Sequence, residues 1–214
     1  MKKLITLSLM AICFYQNSTA QIKKGSLSFG GTASGGASGI DRGNGIESNS
    51  GGFQSQVSLG IAVKENTIIG LNFGYSGSRA NNNLGTVQFK SRSDLFRAGF
   101  FWRDYTRLKK DFYFFAESQL QYSRGNNRSL DSANKITEKS RIRGFGIGSS
   151  VGVTYRLYKK MYVELELPGL LSLDLSQTTP VTPASAEKQN SMTLSSSLSR
   201  NPLSSLAIGF RFIF

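Results

Sequence analysis

Hydrophobic side chains alternate with small or polar ones along most of this chain, at a period of two residues. In one segment Phe53, Val57, Leu59, Ile61 and Val63 are separated by Gln, Ser, Gly and Ala residues. The hydrophobic residues of an amphipathic helix would instead recur three and four positions apart. The alternation therefore predicts β-strands, each with one apolar face and one small or polar face.

Eight segments carry the alternation, and an even number of strands suits an antiparallel barrel that closes on itself. They lie near residues 26–34, 53–63, 69–76, 96–103, 112–123, 145–155, 161–167 and 206–214. Short polar turns are expected near 64–67, 103–110 and 156–160. Longer polar loops are expected near 35–51, 77–85, 125–140 and 176–201. Short turns at one end and long loops at the other are typical of membrane β-barrels.

Two local features add to this prediction. The Gly- and Ser-rich residues 30–52 have low complexity, which indicates a mobile surface loop over most of their length. The alternation also changes parity between Phe89 and Phe96. That change predicts either a β-bulge or a strand that begins beyond the membrane rim.

Residues 1–20 have the composition of a secretory signal peptide. A basic start precedes an apolar run, Leu4–Phe14, and a polar segment with small residues ends at Ala20. The apolar run is shorter than the about 20 residues that a membrane-spanning helix needs. We therefore predict cleavage after Ala20 and a single barrel domain over residues 21–214. Cys13 is the only cysteine and would leave with the signal, so no disulfide would stabilise the mature domain.

The polar face of the strands indicates which side of the barrel meets lipid. It is rich in glycine and small residues and has few charges, as the crowded interior of a narrow barrel requires, so the apolar face is expected outside. Aromatic residues near the ends of the outward faces predict girdles at the two membrane interfaces. They are Tyr75, Trp102, Tyr122, Tyr155, Phe212 and Phe214. The alternative is a soluble secreted β-barrel with an apolar core or ligand pocket.

The last eight residues, Ala207–Phe214, alternate and end on phenylalanine. Together with the signal peptide and the alternating segments, this strand resembles the C-terminal strand of the small OmpA/OmpX-type barrels and of the porin-family barrels common in Bacteroidetes. The resemblance implies an all-β, eight-stranded, antiparallel up-and-down transmembrane barrel in the outer membrane of a Gram-negative bacterium, with both termini periplasmic. It also implies that Phe210, Phe212 and Phe214 form the signal that the barrel assembly machinery reads.

The sequence contains no histidine, which is the usual general base near neutral pH. A Ser-His-Asp arrangement cannot be built, and no catalytic residue, cofactor or metal site is expected. Glu164 and Glu166, two positions apart on one strand, should both point into the lumen. We predict that the lumen charges form salt bridges, Arg97 with Glu117 and Arg211 with Glu164, because an unpaired buried charge is costly.

The formal net charge is +13, of which +11 remains once Lys2 and Lys3 leave with the predicted signal peptide, and these charges either contact anions or only keep the rims hydrated. Basic residues cluster in two of the short turns and again toward the long-loop side, where they would meet phospholipid head groups and lipopolysaccharide phosphates respectively. Nucleic-acid binding is not expected of an exported barrel without a recognition motif. The predicted function is structural, in adhesion or envelope integrity, with a possible extracellular partner of unknown identity. A small porin-like channel and a histidine-free lipid-modifying enzyme are the alternatives.

Overall fold

The computed structural model describes residues 22–41, 46–84, 88–131, 135–181, 187–197 and 206–214, so the predicted signal peptide lies outside the described residues. These residues form nine strands. The strands are β1 (Leu27–Asp41), β2 (Ile46–Lys64), β3 (Thr67–Leu84), β4 (Gln88–Lys109), β5 (Phe112–Leu130), β6 (Ile136–Tyr158), β7 (Met161–Pro180), β8 (Gln189–Ser195) and β9 (Ala207–Ile213). Over the described ranges, no helix has the length and apolar character needed to cross a membrane.

The strands close into a ring with up-and-down topology. Each strand from β2 to β7 pairs antiparallel with its predecessor, and β9 closes the ring by pairing with both β7 and β1. β8 and β9 occupy the same position in the wall, because β9 pairs with residues 161–166 of β7 and β8 pairs with residues 172–178. The wall is therefore eight strands wide, as predicted, with its last strand divided in two.

The strands extend much farther than predicted at the end opposite the short turns. The expected loop over 35–51 is largely paired backbone, since β1 and β2 stay in register from Leu27 opposite Ile61 to Asp41 opposite Glu47. The prediction of a mobile loop over most of 30–52 is therefore wrong. Backbone hydrogen bonds hold this hairpin together. Because they do not depend on the side chains, a Gly- and Ser-rich sequence does not indicate them.

The change of parity in β4 has a simple origin. The pairing of β4 with β3 continues without a bulge from Gln88 to Asp104. Above Phe96 the outward positions of β4 become polar, beginning with Asp94 and Arg92. The change therefore marks the point at which the strand leaves the apolar belt, which is the second of the two predicted explanations.

The two faces of the wall have opposite chemistry. Large apolar side chains such as Phe100 and Ile208 are at least 60% exposed on the outside. Polar side chains on the inside, such as Asn72 and Glu164, are fully buried. A soluble barrel would have the reverse arrangement, so that alternative is wrong.

Candidate functional site in the barrel lumen

Five charged side chains from four strands meet inside the barrel and define what we call the ion cluster. They are Arg103 of β4, Glu117 of β5, Glu164 and Glu166 of β7, and Arg211 of β9. Their side chains are at most 7% exposed. All five stand on the inward face because side chains alternate along a strand, and closure of the ring brings β4 and β7 to face each other across the lumen.

Glu164 lies at the centre of the ion cluster. Arg103 Nη1 donates to both of its oxygens at 2.8 Å. Arg211 donates through Nε to Oε1 at 2.8 Å and through Nη2 to Oε2 at 3.4 Å. The second amino group of Arg211, Nη1, donates to Ser28 Oγ at 3.0 Å, which ties the cluster to the first strand. One carboxylate therefore joins β1, β4, β7 and β9 across the lumen.

Arg103 contacts all three glutamates. Its Nε donates to Glu117 Oε2 at 2.6 Å, and its Nη2 lies 3.8 Å from Glu166 Oε2. Its guanidinium also lies 4.1 Å from the centroid of the Phe115 ring, within the range of a cation–π contact. Pairing of this kind is what makes five buried charges tolerable in a narrow lumen.

The structure corrects one predicted pair. Arg97 lies opposite Ser123, whereas Glu117 lies opposite Arg103. The predicted pair Arg97–Glu117 is wrong because β4 runs on to Lys109, which moves the turn three residues beyond the predicted centre at Arg107. Arg97 instead donates to Ser76 Oγ at 3.2 Å.

The other predicted lumen residues lie where the sequence placed them. Arg211 meets Glu164 directly, and Glu166 points to the same side of β7. Sequence reasoning missed Arg103, which belongs to the inward positions of β4 but was assigned to the edge of a turn. Arg103 lies an even number of residues from Arg97 on the same strand, so both side chains face the lumen. This spacing was the signal that could have identified it.

Buried apolar and aromatic side chains pack next to the ion cluster inside the barrel, most of them toward the short turns. They are Ile22, Ala62, Ile68, Phe101, Tyr105, Tyr113, Phe115, Tyr162 and Ile213. Ile22, ahead of β1, is 2% exposed. Its N–H donates to Asn66 Oδ1 at 3.3 Å, and its carbonyl oxygen accepts from Asn66 N at 3.1 Å. The ion cluster and this aromatic layer form one continuous packed region inside the barrel.

Glycines of the wall make room for the large inward side chains. A Cβ on Gly152 would lie 2.4 Å from Phe115 Cζ, and one on Gly30 would lie 2.9 Å from Arg211 Cζ. Any larger residue at these two positions would displace a ring or a guanidinium of the filled lumen. The small inward residues of the sequence pattern therefore have a steric role.

Above the ion cluster the lumen is polar and more open. Asn72 Nδ2 and Gln121 Nε2 both donate to Gln119 Oε1, at 3.1 and 2.7 Å. Beyond them lies a cavity of about 380 Å³, lined among others by Gln54, Arg97 and Asp174. This cavity could hold water or a small polar molecule.

The ion cluster offers little for catalysis or metal binding. Each of its carboxylates lies within 4 Å of Arg103, and all are buried beneath the polar layer. Within the described ranges, no group of three or more His, Cys, Asp or Glu side chains could hold a metal ion. The geometry is that of a packed interior that cross-links the wall.

No model of a known protein family matches the sequence, and no curated protein matches it either. The solved structures that this chain matches include the translocator domain of the autotransporter NalP from Neisseria meningitidis, with 17% identity and a TM-score of 0.38 over 90% of this chain and 65% of that one. The attachment invasion locus protein Ail of Yersinia pestis is 10% identical, with a TM-score of 0.40 over 88% of this chain and 99% of Ail. A major outer membrane protein from Thermus thermophilus is 12% identical, with a TM-score of 0.43 over 88% and 99% of the two chains. This chain spans less than two thirds of the length of the NalP domain.

The geometry of the chain itself defines its architecture. The wall is antiparallel and closed, the exterior is apolar, and the interior is polar and charged. In water this arrangement would expose the apolar face of the wall to solvent. In a bilayer the apolar face contacts lipid and the polar face lines the lumen. The chain is an all-β, up-and-down barrel of the outer-membrane type, with a lumen filled by an ion cluster and an aromatic layer.

Proposed function

We propose that this protein is an integral barrel of the outer membrane of a Gram-negative bacterium, with a structural role in adhesion or envelope integrity and no catalytic activity. The supporting observation is the combination of an apolar exterior with a filled, ion-paired interior. A filled lumen has no substrate path through it, which leaves the outer surface and the hairpins for contact with other molecules.

The height of the apolar belt fits a bilayer. On β2 the outward apolar residues run from Phe53 to Val63, ten residue steps. At about 3.4 Å per residue and a tilt of about 40°, this distance corresponds to roughly 25 Å of membrane, the height of the apolar band in outer-membrane barrels. Aromatic contacts lie at both limits, with Phe53 and Tyr75 at one end and Phe112 and Tyr155 at the other.

The proposed orientation puts the short turns and both termini in the periplasm. β1 starts and β9 ends at the same rim as the turn that joins β2 to β3. The hairpins of the opposite rim would then project outside the cell. In this orientation the long strand extensions form a wall above the outer leaflet, the surface available to an extracellular partner.

Fractionation of the native cells, with gel mobility before and after boiling, tests the proposal. We expect recovery in the outer membrane and a band whose mobility changes on heating, because a closed barrel resists detergent until it is boiled. Recovery in the soluble periplasm would contradict the proposal.

Cysteine labelling tests the orientation. The mature chain would contain no cysteine, so Asn49→Cys and Lys159→Cys each introduce a single thiol, at exposed sites of opposite rims. A membrane-impermeant maleimide should label Asn49→Cys in intact cells and Lys159→Cys only after the cells are broken. The opposite pattern would reverse the proposed orientation.

A small channel is the second candidate, and the polar cavity above the ion cluster favours it. Conduction would require a water path past the cluster, where Glu164 is fully buried. Planar-bilayer recordings of the purified barrel test this candidate. We expect no stable conductance, and discrete openings in the wild-type protein would support the channel. A lipid-modifying enzyme has less support, since the lumen acids lie buried among arginines.

A further inference from the structure

The outer wall above the aromatic girdle carries a one-sided band of cations on β3, β4, β5 and β6. We call it the cationic wall, and its members share the outward side of their strands. They are Arg79, Lys90, Arg92, Arg124, Arg128, Lys139, Arg141 and Arg143. Among the described outward positions of these strands beyond the girdle, the one carboxylate is Asp94, which accepts a hydrogen bond from the Tyr75 hydroxyl at 2.7 Å.

Strand register brings the cations of this wall directly opposite one another. Arg79 lies opposite Arg92, Arg92 lies opposite Arg128, and Arg128 lies opposite Lys139. These four cations therefore form one continuous row across four strands. Nearer the membrane, Arg124 on β5 lies opposite Arg143 on β6. Directly opposite residues on neighbouring strands have their Cβ atoms about 5 Å apart, and like charges in that position are destabilising.

Strand register thus places cations directly opposite one another four times on one side of the barrel. The corresponding positions on the neighbouring strands are uncharged, such as Gly51 on β2 and Gln177 on β7. Charges needed only for solubility would be spread around the rim, where repulsion is small. A row of opposed cations becomes favourable when an anion with several charges lies across it.

The height of the cationic wall relative to the membrane indicates which anion it contacts. Phe96, whose ring lies 4.9 Å from that of Tyr75, is directly opposite Arg124. Arg124 therefore stands at the level where lipid head groups begin. Arg128 lies four residues farther along β5, which at the usual strand tilt is roughly 10 Å higher. The cationic wall thus covers the height of a large, phosphorylated head group beside the barrel.

From this position and charge, we infer that the cationic wall binds the phosphorylated head group of lipopolysaccharide in the outer leaflet. The inference rests on the proposed function, because it requires an outer-membrane barrel with its hairpins outside. Arginine suits the role, since its guanidinium binds phosphate oxygens in pairs. The lower cations contact the phosphates nearest the acyl chains, and the row from Arg79 to Lys139 contacts anionic groups above them.

Two variants with the same loss of charge test this inference. The wall variant replaces the row Arg79, Arg92, Arg128 and Lys139 by Gln. The turn variant replaces four exposed lysines of the other rim, Lys24, Lys109, Lys110 and Lys159, by Gln. Native mass spectrometry of each detergent-solubilised barrel measures binding of lipopolysaccharide whose core sugars, which lie above lipid A, carry two, one or no phosphates.

We expect the wall variant to bind the diphosphorylated lipid roughly tenfold or more weakly than wild type, and the turn variant to stay within about twofold. Wild-type affinity should fall as phosphates are removed. The variant Arg79→Lys, Arg92→Lys, Arg128→Lys should bind more tightly than the wall variant and more weakly than wild type, because it keeps the charge and loses the paired guanidinium contacts. Because opposed charges are removed, the wall variant should also be at least as resistant to heat as wild type without lipid.

Other outcomes would overturn the inference. They are equal losses in both four-site variants, no dependence on phosphate number, equally tight binding of phosphatidylglycerol, or binding of a sulfated polysaccharide in place of the lipid. Each barrel is first checked for heat-modifiable mobility, and Arg92→Gln with Arg128→Gln replaces the wall variant if that variant does not fold. Recovery of the wild type in the soluble periplasm would refute the proposed function, whereas an outer-membrane barrel with unchanged binding would refute this inference alone.

Discussion

Replacement of Glu164 by Gln tests whether the ion cluster holds the barrel together. The substitution keeps the size of the side chain and one oxygen acceptor, and it removes the negative charge that Arg103 and Arg211 share. The carboxylate accepts three bonds of 2.8 Å and one of 3.4 Å from these two residues. Two buried guanidinium groups would lose their common partner.

The expected cost follows from these contacts. A hydrogen bond to a charged group contributes about 1 kcal/mol more than a neutral one, so the loss over these bonds is about 3–4 kcal/mol of unfolding free energy. Breaking a buried ion pair by removing one partner costs about 3–5 kcal/mol, which agrees. Glu166→Gln is the matched control. Glu166 lies 3.8 Å from Arg103, and its neutralisation leaves two arginines with two glutamates, so we expect a change below about 1 kcal/mol.

Urea unfolding of the barrel refolded into lipid vesicles measures both effects. Trp102 is the only tryptophan and is half exposed on the outer face, so its fluorescence reports the loss of lipid contact. Gel mobility without boiling gives an independent measure of the folded fraction. The reasoning fails if Glu164→Gln unfolds within about 1 kcal/mol of wild type, or if Glu166→Gln costs as much as Glu164→Gln.

Three further predictions concern other parts of the barrel. Gly152→Ala should destabilise it by about 1–3 kcal/mol, because the new Cβ would lie 2.4 Å from Phe115 Cζ. Gly36→Ala is the control, because its new Cβ would meet open space, and its unfolding free energy in the same urea titration should stay within about 0.5 kcal/mol of wild type. Ile22→Ser should cost about 2 kcal/mol, because it removes a buried apolar side chain from the aromatic layer, and an unchanged unfolding midpoint would contradict the packing described. Phe214→Ala should lower the amount of folded barrel in the outer membrane several-fold while in-vitro refolding is unchanged, since the side chain is 58% exposed and contributes little to packing; equal losses in cells and in vitro would refute a role in assembly.

The alternation of the sequence was enough to predict the strands and their faces. Which residues point inward depends on parity within one strand, a local property that does not change when distant parts of the chain move. Arg97, Glu117, Glu164, Glu166 and Arg211 were all placed correctly on the inward face for this reason. Strand ends were less predictable, because the β1–β2 hairpin continues on backbone hydrogen bonds through Gly- and Ser-rich residues.

The partners of those residues were decided only by the tertiary structure. Moving the turn after β4 by three residues replaces Arg97 by Arg103 opposite Glu117 and leaves the parity of every residue unchanged. The contact between Arg103 and Glu164 spans 61 residues and exists because the ring closes. The opposed cations of the outer wall likewise depend on the register of four strands. By itself the sequence determined the apolar exterior and the polar interior, since these follow from neighbours along the chain; the ion cluster and the cationic wall depend on register and closure, which no local pattern encodes.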